Sequence, residues 1–461
     1  MNEARRCARS RFDPHAAAAT LSAIAILFRA PAANADGADE TAPRAAAKPT
    51  GMDKPAVAPA AGGADQTGPS LLPKTRYELA GFPILGGNTD IGFQFGAAAT
   101  LTRFYNDVFP YEWNVDLLLS ASAKSDQGLR LVQQSHVLRL DAPDLLHGRA
   151  RLDTRLSFQR TINAGYFGIG NATPATPTSD PCAQGRRFQY LQEEGRVRGI
   201  ARIHTPVQGL DVAVGFNFRG ENPSVYCGSK LAADLAQTPQ AGAPPVVGGE
   251  PTFLGGGSAG AMLDTRDSEF ITTRGIYYQL GISGTGGTAE HVGYGEAAAV
   301  LAHYAPLGGP FIFAGRVVAS FQFGRVPFYD LQQGGVFEPQ YLFGSENGVR
   351  GVPFGRYAGQ IKVLSNLEFR STPFPKFNLL GQLFRIGTTT FFDVGRVWSG
   401  YSTISAADGT SIGLKFGVGG GLFLQWGEAA IFRVEAAYSP DAVAENPSLP
   451  IGIYVSDGLM F

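Results

Sequence analysis

The stretch Ile361-Lys362-Val363-Leu364-Ser365-Asn366-Leu367-Glu368-Phe369-Arg370 sets Ile361, Val363, Leu367 and Phe369 on one side of an extended chain. Lys362, Asn366, Glu368 and Arg370 fall on the other. Successive side chains of a strand face opposite ways, so this segment has one mainly apolar and one mainly polar face. The pattern recurs through the chain. Ala150, Leu152, Thr154, Leu156 and Phe158 alternate with Arg149, Arg151, Asp153, Arg155, Ser157 and Gln159. Leu210, Val212, Val214, Phe216 and Phe218 oppose Asp211, Asn217 and Arg219. Phe311, Phe313, Val317, Phe321 and Phe323 oppose Arg316, Ser320 and Gln322.

A soluble β-sandwich also alternates, but with shorter strands. Here the segments run about ten residues or more, the length a tilted strand needs to cross a bilayer. Aromatics gather near segment ends, as at Phe104-Tyr105, Tyr111 with Trp113, Tyr166-Phe167 and Phe328-Tyr329. Those positions suit interfacial girdles. Counting from Arg76 to Phe461 gives about sixteen strands, an even number as single-chain bacterial barrels have. Short connections near Asn106–Pro110, Ala142–His147, Thr205–Gln208, Pro306–Gly309, Thr372–Lys376 and Trp426-Gly427 follow even-numbered strands. Long ones near 162–186, 221–251 and 325–359 follow odd-numbered strands. With the first strand starting in the periplasm, every long loop then lies outside. The expected fold is an all-β transmembrane antiparallel barrel.

The N-terminus has a different character. Arg5, Arg6, Arg9 and Arg11 precede an apolar run from Ala16 to Phe28 and the small-residue site Ala33-Asn34-Ala35. This is the pattern of a secretory signal peptide over residues 1–35, too short to span hydrocarbon. Residues 36–70 are rich in Ala, Pro and Gly with few large apolar side chains, the composition of a disordered periplasmic linker. The barrel is expected over 71–461. With Cys7 in the signal, Cys182 and Cys227 remain as an even pair in an oxidising compartment. A disulfide and two separate thiols are the alternatives.

Net charge is -1 and only 17% of residues are charged, so nothing points to nucleic acid. Gly256-Gly257-Ser258-Ala259-Gly260 spells a nucleophile elbow, but lies in a Gly-rich strand instead of a strand-to-helix turn. A membrane-embedded lipase acting through Ser258 is therefore not expected. Gly284-Thr285-Gly286-Gly287-Thr288-Ala289 resembles a dinucleotide loop in spelling alone, with no helix to follow. The six histidines show no paired ligand spacing. The chain is read as a non-enzyme with no catalytic residue, metal or cofactor.

The segment Gly344-Ser345-Glu346-Asn347-Gly348-Val349-Arg350-Gly351-Val352-Pro353-Phe354-Gly355-Arg356-Tyr357 lies in the last long loop. Its Val349-Arg350-Gly351 core resembles the signature of the BamA/TamA-type outer-membrane assembly and translocation family (the bacterial surface antigen barrel). In that family the sixth extracellular loop folds back into the barrel and its arginine reaches acids on the next two strands. Glu368 and Asp393, the latter in Phe391-Phe392-Asp393-Val394-Gly395-Arg396-Val397-Trp398, match those acids. The resemblance thus implies a lumen loop lock of Arg350, Glu368 and Asp393. Tyr166-Phe167-Gly168-Ile169-Gly170-Asn171 and Leu263-Asp264-Thr265-Arg266-Asp267 resemble two further family elements. Val352 replaces the family's aromatic residue. Leu459 and Phe461 form a C-terminal sorting pattern on one face of the last strand, with Ser456 where Gly is usual.

The resemblance further implies integral residence in a Gram-negative-type outer membrane, contact with its lipids, and a weak seam between the first and last strands. It implies a role in insertion, assembly or translocation of proteins or lipids. Family members that assemble or translocate proteins carry polypeptide-transport-associated (POTRA) domains ahead of the barrel, whereas residues 36–70 read as linker. The expected partners are therefore outer-membrane protein clients or a POTRA-bearing partner. A passive pore, or a surface scaffold or antigen that kept the fold alone, is the competing expectation.

Overall fold

The computed structural model describes residues 75–461 apart from 106–107, 109–110, 126–127, 177, 184, 238–244, 270, 290–291, 380–381, 403–404, 427–429, 445–449 and 458. The signal peptide and linker expected at 1–35 and 36–70 lie outside the described residues. Alternating segments take up the wall: β1 Thr75–Asn88, β2 Gly92–Tyr105, β3 Trp113–Ser125, β4 Leu129–Leu145, β5 Ala150–Gly165, β6 Gln189–His204, β7 Leu210–Val225 and β8 Thr252–Asp264. The circuit continues with β9 Gly275–Gly287, β10 Gly293–Gly308, β11 Phe311–Arg325, β12 Ile361–Ser371, β13 Gln382–Trp398, β14 Lys415–Trp426, β15 Ala430–Tyr438 and β16 Ile451–Asp457. Each pairs antiparallel with its neighbours and β16 returns to β1, closing a sixteen-stranded barrel. A three-residue piece, Phe377–Leu379, pairs with the start of β13.

The side chains sort by parity. On β12, Leu367 and Phe369 are exposed, each 39%, whereas Lys362, Leu364, Asn366, Glu368 and Arg370 are at most 2% exposed. The same split holds on β7, where Val212, Val214, Phe216 and Phe218 face out and Asp211, Ala213 and Arg219 are buried inside. An apolar outer band around a polar interior is what hydrocarbon selects, because outward backbone groups are satisfied within the ladder and outward side chains need no water.

Long connections at 166–188, 226–251 and 326–360 share one end of the barrel. The turn expected at Ala142–His147 lies at 146–149, because a bulge between Ala142 and Leu145 carries β4 further. Leu146 and His147 there adopt positive φ, 54° and 60°, ahead of Gly148.

The loop 326–360 does not stay on the surface. Phe328, Tyr329, Leu331, Val349, Arg350 and Tyr357 are all at most 1% exposed, and the loop fills the lumen. Phe328 packs 5.4 Å from the Tyr166 ring and 5.0 Å from Tyr190, both edge-on. Leu459 and Phe461 stand beyond β16 and not on it. The Phe461 ring turns inward, 6.1 Å from the lumen-facing Tyr304, and its main-chain oxygen accepts from Arg370 Nη2 at 3.0 Å.

Closure is uneven. β1 meets β2 over the whole of Thr75–Asn88, but meets β16 only at Gly87 with Val455 and Asn88 with Tyr454. At the loop end, Cys182 and Cys227 form a disulfide with Cα atoms 5.5 Å apart. It ties loop 166–188 to loop 226–251. A cross-link closing a loop of this size is worth about 2–4 kcal/mol where the chain is otherwise free, less here because β6 and β7 already constrain it. Cys227→Ser should leave the wall folded in cold SDS gels yet speed proteolysis of both loops several-fold; equal digestion of variant and parent would show that the bridge does not hold them.

Candidate functional site

Glu368 and Asp393 face the lumen because β12 and β13 must put apolar residues outward; their neighbours Leu367 and Phe392 are 39% and 42% exposed. Adjacent strands then bring the two acids within reach of one cation. That cation is Arg350, delivered by the loop. Its Nε and Nη2 donate to the two carboxylate oxygens of Asp393 at 2.8 and 3.0 Å, a bidentate fork. Nη1 donates to Glu368 at 2.8 Å and to Glu435 at 3.1 Å. The Arg350 backbone N–H also donates to Asp393, at 3.2 Å. The guanidinium lies 3.4 Å over the Phe391 ring.

All four charged groups are at most 1% exposed, so their balance decides whether the site can exist. Arg370 donates to Glu368 at 2.8 Å, and Arg433 lies 3.5 Å from Glu435. Three guanidiniums thus face three carboxylates. Asn366 donates to Asp393 and to Gly348 O, both at 2.9 Å, while Arg316 donates to Asn366 at 2.8 Å and to Asn347 O at 2.5 Å. Burial works against the Arg350 charge, but the fields of Asp393 and Glu368 outweigh it and raise its pKa above the usual arginine range. What this arrangement can do chemically is hold the loop.

The flanking motif explains how the backbone gets there. Val349 is fully buried among Leu342, Phe343, Val352 and Tyr357. Gly351 has φ +84°, which a side chain would strain, and its N–H donates to the Tyr454 hydroxyl at 2.8 Å. Opposite, a Cβ on Gly417 would stand 1.8 Å from Arg350 O, so only glycine lets β14 accept the loop so closely. The Tyr166–Asn171 segment braces the same loop: Gly170 N–H donates to Ala358 O at 2.7 Å. Asp264, by contrast, ends β8 and Asp267 lies in the turn after it, where Arg266 pairs with Asp264 at 2.7 Å. Ser258 lies within β8, opposite Gly215 and Ser283.

Sequence reasoning missed Glu435, Arg370 and Arg433 as members of the network, and Gly417 and Tyr454 as contacts of the loop. A signal existed for Glu435 and Arg433, which flank the exposed Val434 and so had to face inward. Gly417 sits in a run of glycines with nothing local to single it out.

Arg350→Ala leaves three buried carboxylates short of a cation. It should cost about 3–5 kcal/mol, lower the temperature of heat-modifiable unfolding and expose loop 326–360 to protease. Arg350→Lys should recover little, since an ammonium cannot form the fork. Unchanged melting and unchanged digestion would refute the holding role.

A family model for the Omp85 superfamily domain matches residues 142–445, a span that contains Arg350 and all three of its acidic partners. No curated protein matches the chain by sequence. Among solved structures, BamA from Haemophilus ducreyi lacking POTRA domains 1-3 matches with a TM-score of 0.50 at 14% identity, over 84% of this chain and 70% of that one. CdiB from Acinetobacter baumannii and CdiB from Escherichia coli each match at 12% identity with TM-scores of 0.49, over 84% of this chain. The chain spans 60% and 63% of those two, less than two thirds of their length. The chain belongs to the Omp85 superfamily and is an integral outer-membrane β-barrel.

Proposed function

We propose that this barrel assists the insertion, assembly or translocation of proteins or lipids at the outer membrane, with the junction of β1 and β16 as its working edge. The observation that carries this is the two-position pairing at that junction, beside the full-length pairing of β1 with β2. β16 is seven residues long, so most of β1 has no ladder partner on that side among the described residues. An unpaired strand edge in hydrocarbon has backbone groups that demand partners. An incoming client strand supplies them at no cost to the rest of the wall. The residues that hold the lumen loop, Arg350 with Glu368, Asp393 and Glu435, act here as positioning groups. Clients, and a partner bearing POTRA domains, belong to this reading as expectations.

The test is a cross-link at the next antiparallel step beyond the Gly87–Val455 pair, Gly86→Cys with Ser456→Cys. Depletion of the protein should lower a subset of outer-membrane proteins, and the oxidised double variant should fail to restore them until reduced. An unchanged outer-membrane profile on depletion, or full rescue by the oxidised form, would overturn the reading.

A second reading, a passive pore or a surface scaffold, has one observation in its favour: the long loops 166–188 and 226–251 are joined by a disulfide at the exposed end. The pore version conflicts with a lumen occupied by 326–360. Single-channel recording separates them, with small, erratic openings expected here and a steady large conductance favouring the pore.

A further inference from the structure

The outer wall has a feature that neither the seam nor the loop lock uses. In one cross-strand row, His136, Phe158, Gly195, Gly220 and Phe253 are successive partners on β4 to β8. Phe158 and Phe253 are 41% and 53% exposed, so the row faces out. A Cβ built on Gly195 or Gly220 meets nothing within 4 Å. The paired glycines therefore leave a groove of about 430 Å³ in the bilayer-facing surface. Its walls are stacked rings: His136 on Phe158 at 6.1 Å to one side, Phe218 on Phe253 at 6.3 Å to the other. Its floor continues along Leu156 and Val197.

One outward step toward the long-loop end, about 7 Å along the strands, the surface changes character. Arg160 of β5, Glu193 of β6 and Asn222 of β7 are the next row, and Glu193 accepts from both neighbours, from Arg160 Nε at 3.0 Å and from Asn222 Nδ2 at 2.9 Å. Above Arg160, the Tyr226 hydroxyl donates to Ile162 O at 2.8 Å, and Arg186 lies 4.5 Å over the Tyr226 ring. The charged groups acting on that hydroxyl are Arg186, Arg160 and Arg130. Tyr226 adjoins Cys227, so the disulfide to Cys182 fixes this platform relative to β5.

An apolar groove at hydrocarbon depth, capped one strand step on by the Arg160 guanidinium and in the loop beyond it by that of Arg186, complements an anionic head carrying an acyl tail. The long-loop end of such a barrel faces outward, which places the cations at the headgroups of the outer leaflet. We infer that the outer wall of β4–β8 binds a phosphorylated glycolipid of the lipid A type, with an acyl chain in the Gly195–Gly220 groove and a phosphate at Arg160 and Arg186. Guanidinium suits the phosphate because it offers paired donors and loses its hydration readily. Glu193 has the role of a placeholder: it holds Arg160 outward until phosphate displaces it.

The test uses the full chain, delipidated in detergent and incubated with bisphosphorylated lipid A, with lipid retained per barrel read by native mass spectrometry. Parent protein should retain it, and Arg160→Ala/Arg186→Ala should lose about tenfold in affinity, the scale of charge-assisted bonds to phosphate. Gly195→Leu should lose a similar factor by filling the groove with all cations in place, and a Cβ there meets nothing within 4 Å. Unaltered heat-modifiability of each variant provides the folding control. Equal retention by parent and both variants overturns the site, as does retention of fully dephosphorylated lipid A to the same degree. Equal retention of phosphatidylglycerol overturns the choice of lipid, and displacement by inorganic phosphate alone overturns the part given to the groove.

Discussion

Burying an arginine is expensive, and the interior of this barrel is organised around one. Arg350 comes from a loop, yet its carboxylate partners come from three different strands, β12, β13 and β15. None of those acids is tolerable inside the wall without a cation, and the cation has no stable place in the lumen without them. Loop and wall therefore fold as mutual conditions. The neighbouring pairs Arg370–Glu368 and Arg433–Glu435 bring two further cations to the same carboxylates, and the Phe391 ring closes the face of the guanidinium that carboxylates cannot reach. Aromatic packing of Phe328 against Tyr166 and Tyr190 then fills the lumen nearer the loop end.

Much of this was legible in the sequence, for a physical reason. Hydrocarbon outside and polar groups inside impose a strict period of two, and stretches such as 361–370 and 210–219 carry it in local order. Strand number and loop parity follow from counting such stretches. What could not be read locally depends on where distant strands meet. Nothing near Gly417 says that Arg350 O will lie against it, and nothing near Tyr454 says that its hydroxyl will receive the Gly351 N–H. The Cys182–Cys227 pair shows the same limit: sequence leaves two thiols and a bridge as alternatives, and only the approach of the two loops joins them. The inward turn of Phe461 escaped for a related reason. Strand alternation extrapolates a straight β16, whereas Arg370, Arg316 and Tyr304 offer the ring a site inside.

Those tertiary contacts connect the loop to the closure of the barrel. Tyr454 is one of the two β16 residues paired with β1, opposite Asn88. The same residue accepts the Gly351 N–H, next to Arg350, and packs in one cluster with Phe391, the ring beneath the guanidinium. A two-position ladder is worth little by itself, since each backbone bond contributes about 1 kcal/mol net. Order at the junction is therefore set more by what β16 touches inside the lumen than by the strand it faces. Because Gly351 and Arg350 are adjacent in the chain, displacing the guanidinium from Asp393 moves the N–H that holds Tyr454. The closure of this barrel and the seating of its lumen loop are then two ends of one short chain of contacts, which is why a charge buried in the lumen bears on whether β1 has a partner.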